Sequence, residues 1–524
     1  MSTLIDEESQ LLERAAATVK NWGQMRLSDG RALAEVMTLS GAPMWEVAAP
    51  SLALHPVARA LSLGNNPPAF PLKIRPYLVR AQQAIYDLLT IQRGNRRCIQ
   101  WPTGSTWLFL GFSAYMYRDI LQPVVSFIQA NFRQIQPVVI HDWRNSTLIR
   151  HAPRSSHQSI WQHWDKSVAD QAKILTRLSM EARRDIYAGG LPNAIQSSGT
   201  VSWRQAQPVF SWFFHAFLPR LLPQVAIAQC VLRQHTPALI ISPDVADPRT
   251  RMYCLVGRSL GIPSLQLQFG IYNTAGVEWK FLVADRLAAW SESAAKVFSA
   301  HGVPADRIVI TGSSRYDWLG NTSDAGIKQT RIRLGVPDGK LVVLFASTYS
   351  IKAYGTLLNP RRLEAFKEAL FKTANQIEGL CLVVKPHPLE NVRATRRLAR
   401  GCRNVLFADQ RSDIRELIPA CDAFIAMGST STMEALIARK LVISPNFPGL
   451  AWWDDIYLKN NVAFGVDSEE ELAHVLRTLA VGKCGQLLAD LEPARQSFLS
   501  KWVFGLDGQA SARIVALAQE MARS

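Results

Sequence analysis

Apolar and polar positions follow different periods in successive parts of this chain. Up to about residue 95 the apolar residues recur at helical spacing, with Leu11, Leu12, Ala15 and Val19 on one face. The proline-rich run GNNPPAFPLKIRP (64–76) interrupts that region and reads as a connector. From about residue 100 short apolar runs of strand character appear, at 106–113, 137–142, 238–244, 263–270 and 285–290. Helical periods fall between them, at 118–134 with Pro123 near its start, at 249–261, and in SESAAKVFSAHG. The alternation begins again with DRIVITGSSRYD (306–317) and KLVVLFAST (340–348), and continues through 380–388, 404–409, 422–427 and 441–447. Intervening helices are expected at 361–376, 413–421, 429–440 and 468–480, and the tail after 486 is helical.

Strands that alternate with helices form parallel sheets. The pattern therefore predicts an α/β fold of two Rossmann-like domains facing across a cleft. The expected divisions are a helical N-terminal extension (1–98), an N-terminal Rossmann-like acceptor domain (99–303), a C-terminal Rossmann-like donor domain (304–485) and C-terminal helices (486–524). In open sheets of this type ligands sit outside the carboxyl ends of the strands. Residues at those ends are the candidates for chemistry.

Charge changes the picture in one respect. Lys and Arg number 58 against 42 Asp and Glu, a net charge of +16, which points to an anionic partner. Nucleic acid is not that partner, because no nucleic-acid-binding signature occurs. Seven widely spaced cysteines without a CxxC pair argue against a disulfide framework. The N-terminus is acidic and amphipathic, and no apolar run reaches the ~18 residues of a membrane span. A reduced, cytoplasmic protein is expected. The aromatic, basic stretch 203–234, broken by Pro219, Arg220 and Pro223, reads either as a buried helix pair or as a peripheral layer at the inner membrane face.

Three stretches carry candidate chemistry. In LVVKPHP a strand delivers Lys385, Pro386, His387 and Pro388. The prolines stiffen the segment, so it presents one imidazole beside one ammonium, a pattern suited to a phosphate. In AMGSTSTMEAL a strand ends at Met427, Gly428 permits a tight turn, and Ser429, Thr430, Ser431 and Thr432 open a helix that also holds Glu434. That run is either an anion site at a helix start or an ordinary capping sequence. In ITGSSRYD, Gly312, Ser313 and Ser314 precede Arg315, which forms either an anion turn or a hinge in which Arg315 pairs with Asp317.

Together with WSESAAKVFSAHGVPADRIVITGSSRYD, these motifs resemble the GT-B superfamily of bacterial surface-polysaccharide transferases. That group includes capsule Kdo transferases, polysialyltransferases and CDP-glycerol glycerophosphotransferases, with UDP-GlcNAc 2-epimerases more distant. The resemblance covers about 235–480. It implies a transferase that moves a sugar from a nucleotide-activated donor, a CMP-sugar first and a UDP-sugar next, to a glycan or lipid-linked acceptor. Polyol-phosphate transfer from CDP-glycerol and an epimerase-like isomerase are the alternatives. It implies that His387-Pro388 and Ser429, Thr430 and Ser431 meet the donor phosphate, that Glu434 meets the ribose or caps the helix, and that Gln268 and Gly270 lie on the acceptor side. Phe269 stands where relatives often carry histidine.

The group that accepts the acceptor's proton should lie at a strand end of the N-terminal half. Asp142 and Asp244 are the candidates by position, with Asp119 and His141 behind them. No metal-ligand motif occurs, and Asp454-Asp455 is a lone acidic pair. The resemblance implies catalysis without metal or cofactor, the nucleotide-sugar being a substrate.

Overall fold

The computed structural model describes residues 2–62, 101, 105–142, 157–271, 276–317, 323–349, 360–447 and 456–523. The connector at 64–76 and the pair Asp454-Asp455 lie outside the described residues. The chain forms two compact units. The first comprises residues 9–269, 276–317 and 509–524, and the second comprises residues 1–8, 270–275 and 318–508.

In the first unit a small antiparallel hairpin, β1 (Thr38–Leu39) and β2 (Ala42–Pro43), precedes the main sheet. Seven strands follow: β3 (Ser105–Leu110), β4 (Ile135–His141), β5 (His157–Ser159), β6 (Leu239–Ser242), β7 (Ser264–Leu267), β8 (Arg286–Ala289) and β9 (Ile308–Ile310). All pair in parallel, in the order β5-β4-β3-β6-β7-β8-β9. The second unit contains β10 (Leu341–Ala346), β11 (Leu380–Lys385), β12 (Val405–Phe407), β13 (Ala423–Ile425), β14 (Leu441–Pro445) and β15 (Phe464–Val466). Their order is β12-β11-β10-β13-β14-β15, again parallel throughout. This is the doubly wound Rossmann order in both units, with a seventh strand added to the first.

The expected α/β class is present, but the divisions differ. The segment after residue 303 does not start the second unit. Ile308 pairs with Leu287, so β9 closes the edge of the first sheet, and the chain leaves the first unit only after Asp317. The N-terminal helices are not a separate extension either. Leu12, Ala15, Val19, Trp22 and Trp45 are buried in one core with Leu108, Val138 and Ile240 of the sheet. The last helix, Ala510–Met521, returns to the first unit, where Ile514, Val515 and Ala518 pack with Val124 and Ile128. Asp317 caps that helix by accepting from the N–H groups of Ala510 (3.0 Å) and Ser511 (2.7 Å). Asp317→Ala is expected to cost about 1–2 kcal/mol, the usual worth of such a cap, read as a lowered denaturation midpoint.

The aromatic stretch 203–234 is a buried helix pair, not a membrane layer. Phe210, Phe213, Phe214, Leu218, Leu221 and Leu222 are all in the core. Trp45 lies 6.0 Å from the Phe210 ring and 5.6 Å from that of Phe213. Pro219 does not break it, because the chain takes one wider turn of π-helix at Phe213–Phe217 just before it, while Pro208 and Pro223 lie inside the helices on either side. A wider turn accommodates the hydrogen bond that proline cannot make. The same device occurs at Ala53–Val57, which contains Pro56, and at Tyr117–Leu121, just before Pro123. Among the described residues no helix is long and apolar enough to cross a membrane.

Candidate functional site

The strand order places the switch point of the second unit between β10 and β13, where parallel sheets open a crevice at their carboxyl ends. β10 runs out into Ser347-Thr348-Tyr349, and β13 runs out towards Gly428. His387 follows β11, which lies on the other side of β10. One strand therefore separates the histidine loop from the serine-threonine run.

His387 is held on three sides. Its ring Nδ1 accepts the N–H of Leu389 (3.1 Å), its own N–H donates to Glu390 Oε2 (2.9 Å), and its carbonyl accepts from Gln410 Nε2 (2.7 Å). The ring lies 4.6 Å from that of Tyr349. Because Nδ1 accepts, the neutral imidazole carries its proton on Nε2. Burial, with Lys385 next and Lys367 adding, pushes the imidazole pKa down to about 4, against a smaller opposing pull from Glu390. The side chain is thus neutral near pH 7 and offers one N–H donor. Glu390 and Gln410 add hydrogen-bonded support to the flanking prolines, and the sequence reading missed both.

Glu390 is the centre of that support. It is buried, and its Oε1 accepts from Lys367 Nζ (2.5 Å), Ser347 Oγ (2.9 Å) and Thr395 Oγ1 (2.6 Å). Lys367 also donates to the Thr348 carbonyl (2.7 Å). One carboxylate thereby joins the end of β10, the helix Pro360–Gln376, the His387 loop and the helix Val392–Leu398. Gln410 completes the bracket, donating also to the carbonyls of Pro388 and Glu390 (both 3.0 Å). Lys385 is buried and donates to the carbonyls of Pro386 (2.8 Å) and Gln410 (3.0 Å). Its ammonium braces the loop and acts on His387 through its charge.

In the serine-threonine run, Gly428 has φ +57°, a left-handed backbone that favours glycine. The hydroxyls of Ser429 and Ser431 bond each other at 2.7 Å, and Tyr457 donates its hydroxyl to the Ser429 carbonyl (3.2 Å). Ser429 and Thr430 are half-buried, whereas Ser431, Thr432 and Glu434 are buried. Glu434 is fully enclosed, at 0% exposure, and the N-cap residue of its helix, Thr430, makes no side-chain capping hydrogen bond.

The run from Gly312 to Arg315 belongs to the first unit. Gly312 turns the chain with φ +79°. The Ser313 hydroxyl is buried without a hydrogen-bond partner, and Ser314 donates to the Ile120 carbonyl (2.8 Å). Arg315 is buried and pairs with Asp119 at 3.0 Å, not with Asp317. The π turn at Tyr117–Leu121 places Asp119 there, and Arg118 holds the same carboxylate at 2.6 Å. This segment is a tie within the first unit.

At the carboxyl edge of the first sheet the acids divide into two kinds. Asp142 and Asp247 share Arg249, whose NH1 bonds Asp142 and whose Nη2 meets Asp247 at 2.5 Å. Burial raises the Asp142 pKa, with Arg249 opposing and Asp247 adding to the rise. Among the described residues Asp244 makes no ion pair, and it accepts the N–H groups of Ala246 (2.9 Å) and Asp247 (3.1 Å). Burial, then the nearby Asp247, raises its pKa to about 6. Glu278, in the turn Val277–Phe281, is raised to about 7 by burial, with Asp244 adding. The sequence reading missed Glu278. An acid set among Val277, Trp279 and Phe281 was the available signal. Buried Arg251 ties the two segments together, donating to the carbonyls of Val245 and Phe281. His141 is buried, with its pKa lowered to about 4 by burial and by His157. Gln268 staples β7 to β8, accepting the Trp290 N–H at 2.8 Å, and Gly270 is buried. Among the described residues no group of three or more His, Cys, Asp or Glu is placed to hold a metal ion.

Residues 278–427 match the family model described as CDP-Glycerol:Poly(glycerophosphate) glycerophosphotransferase. No curated protein matches the chain. Among solved structures, the S. aureus MnaA-UDP co-structure aligns at 13% identity over 80% of this chain and 97% of that chain, with a TM-score of 0.50. The UDP-GlcNAc 2-epimerase from Neisseria meningitidis bound to UDP-GlcNAc aligns at 11% identity over 79% of this chain and 100% of its own, TM-score 0.49. A variant of the wall teichoic acid polymerase TagF with CDPG aligns at 13% identity over 87% and 99%, TM-score 0.48. The two parallel sheets with their helical N-terminal region have the GT-B fold, and the stretch from Glu278 to Met427 is similar in sequence to a family of glycerophosphate transferases.

Proposed function

We propose that this protein is a transferase that takes an activated group from a cytidine-diphosphate-linked polyol, of the CDP-glycerol kind, and passes it to a hydroxyl of a cell-surface polymer. The observation that carries the reading is the family-model match, which runs through β10, β11 and β13 and so includes the His387 loop. Nothing in the comparisons favours a CMP-sugar donor, which had been the first expectation from the resemblance. A UDP-sugar donor is the nearest variant, and thermal shift with CMP, CDP, UDP and GDP separates the two. Stabilisation by CDP or CMP with none by UDP supports the reading, and the reverse order contradicts it.

In this account the acceptor oxygen attacks the phosphorus that bears the polyol, and the bond to the CMP oxygen breaks. Charge grows on that leaving oxygen. His387 Nε2–H, already placed and already neutral, donates to it without reorganising. Within the first unit, Asp244, with Glu278 in electrostatic reach, is the candidate for the group that accepts the proton of the attacking hydroxyl. Asp142 is tied to Arg249, which leaves Asp244 as the first choice.

The two pKa values set the pH dependence. A base must be deprotonated, so turnover should fall as pH drops through about 6, the value to which Asp244 is raised. Asp244→Asn should abolish turnover while leaving nucleotide binding intact. His387, at about 4, should add no loss of activity as pH rises through the ordinary imidazole range near 6.5. A pH–rate profile that declines above the ordinary imidazole pKa, and loses that decline in His387→Gln, would contradict the donor role.

A further inference from the structure

The helix Val392–Leu398 and the turn after it carry an arginine stripe that no part of the chemistry above uses. Arg393, Arg396, Arg397, Arg400 and Arg403 are all exposed. No Asp or Glu occurs from Asn391 to Ala408. Among the described residues none of the five makes an ion pair. Arg396 has its guanidinium 5.2 Å from the centre of the Phe407 ring, and the Arg403 N–H donates to Asn375 Oδ1 (2.6 Å). Within the helix, Arg393, Arg396 and Arg397 stand at i, i+3 and i+4, one face, while Thr395 on the opposite side is buried against Glu390.

Fold stability does not account for this arrangement. Like charges at these spacings repel. Arg396 and Arg397 in the last turn suit the helix dipole, but Arg393 in the first turn opposes it. On the helix Lys166–Ala188, by comparison, acids are interspersed with the exposed bases, and Lys173 pairs with Asp170 (2.9 Å) and Arg177 with Glu181 (3.8 Å). Next to the unpaired stripe stands Leu389, 69% exposed, one of the most exposed large apolar side chains of the protein. Clustered arginines beside a bare leucine combine the two terms that hold a protein to an anionic bilayer, attraction to head groups and burial of an apolar side chain at the acyl boundary.

We infer that Leu389 and the arginines of 393–403 form a docking surface for an anionic lipid membrane. The inference does not depend on the transferase reading, since it concerns attachment and not turnover. The stretch first suspected of this role, 203–234, is inside the core of the first unit, so the surface proposed here is a different one.

The test is co-sedimentation of the full chain with vesicles at physiological salt. We expect binding to an equal mixture of phosphatidylglycerol and phosphatidylcholine and none to phosphatidylcholine alone. Replacing Arg393, Arg396, Arg397 and Arg400 together with Gln should weaken partition about tenfold or more. Leu389→Ser should weaken it several-fold. A comparison protein with Lys166, Lys173, Arg177 and Arg184 changed to Gln removes as much charge and should bind like the natural chain. Near-ultraviolet circular dichroism checks that each protein is folded. Three results overturn the proposal: undiminished binding of the four-arginine variant, equal loss in the comparison protein, or binding indifferent to Leu389→Ser, which would make the stripe a reader of polyanions in general.

Discussion

Replacing Glu390 with leucine is expected to destabilise the second unit by about 3–5 kcal/mol, because it strands the Lys367 ammonium without its counter-charge in the interior. The environment leaves little room for escape. Both side chains are almost fully enclosed, with exposures of 5% for Lys367 and 3% for Glu390. Removal of the carboxylate also leaves the hydroxyls of Ser347 and Thr395 and the N–H of His387 without their acceptor. The double substitution Lys367→Met with Glu390→Leu should recover part of the loss, since an apolar pair no longer buries a lone charge. Denaturant midpoints measure both. A single variant as stable as the natural protein would show that the pair does not hold the end of β10 to the His387 loop.

His387→Ala is expected to slow donor turnover about ten- to a hundredfold, the kinetic equivalent of losing a hydrogen bond to a charged oxygen, about 1.5–3 kcal/mol. The loss should appear mainly in kcat, because the charge on the leaving oxygen is greatest in the transition state. Folding should be little affected, as the ring is half-buried and Nε2 makes no hydrogen bond among the described residues. A large rise in KM with kcat unchanged would instead make His387 a ground-state contact to the nucleotide.

Much of this was legible in the sequence, and the reason is local. The apolar runs at 106–110, 239–242, 264–267, 341–346 and 380–385 are fully or nearly buried strands of a parallel sheet, which read as continuous apolar segments without help from distant residues. His387 stood out because two prolines frame it. The parts that were not legible depend on contacts distant in sequence. Arg315 meets Asp119, 196 positions away, and not its near neighbour Asp317, which is occupied by the N-terminus of the last helix. Lys367 reads as one more base of an amphipathic helix until Glu390 is seen beneath it. The boundary at 303 was misplaced because β9 is a three-residue edge strand whose membership is settled by pairing with β8 and by nothing in its own composition. The prolines of 203–234 suggested interruption, and the π turn that precedes Pro219 has no signature in residue type.

The central claim is that a neutral His387, with its proton on Nε2, donates to the leaving phosphate oxygen of a cytidine-linked donor. The direct measurement is release of CMP from CDP-glycerol by the natural protein, by His387→Gln and by His387→Ala, each checked for folding and for CDP binding. Glutamine keeps an N–H donor near the position of Nε2 but cannot give up a proton as an acid. The account predicts that the Gln variant retains activity clearly above that of Ala, with a pH dependence unchanged from the natural protein. A Gln variant as inactive as Ala, with CDP binding intact, would contradict it.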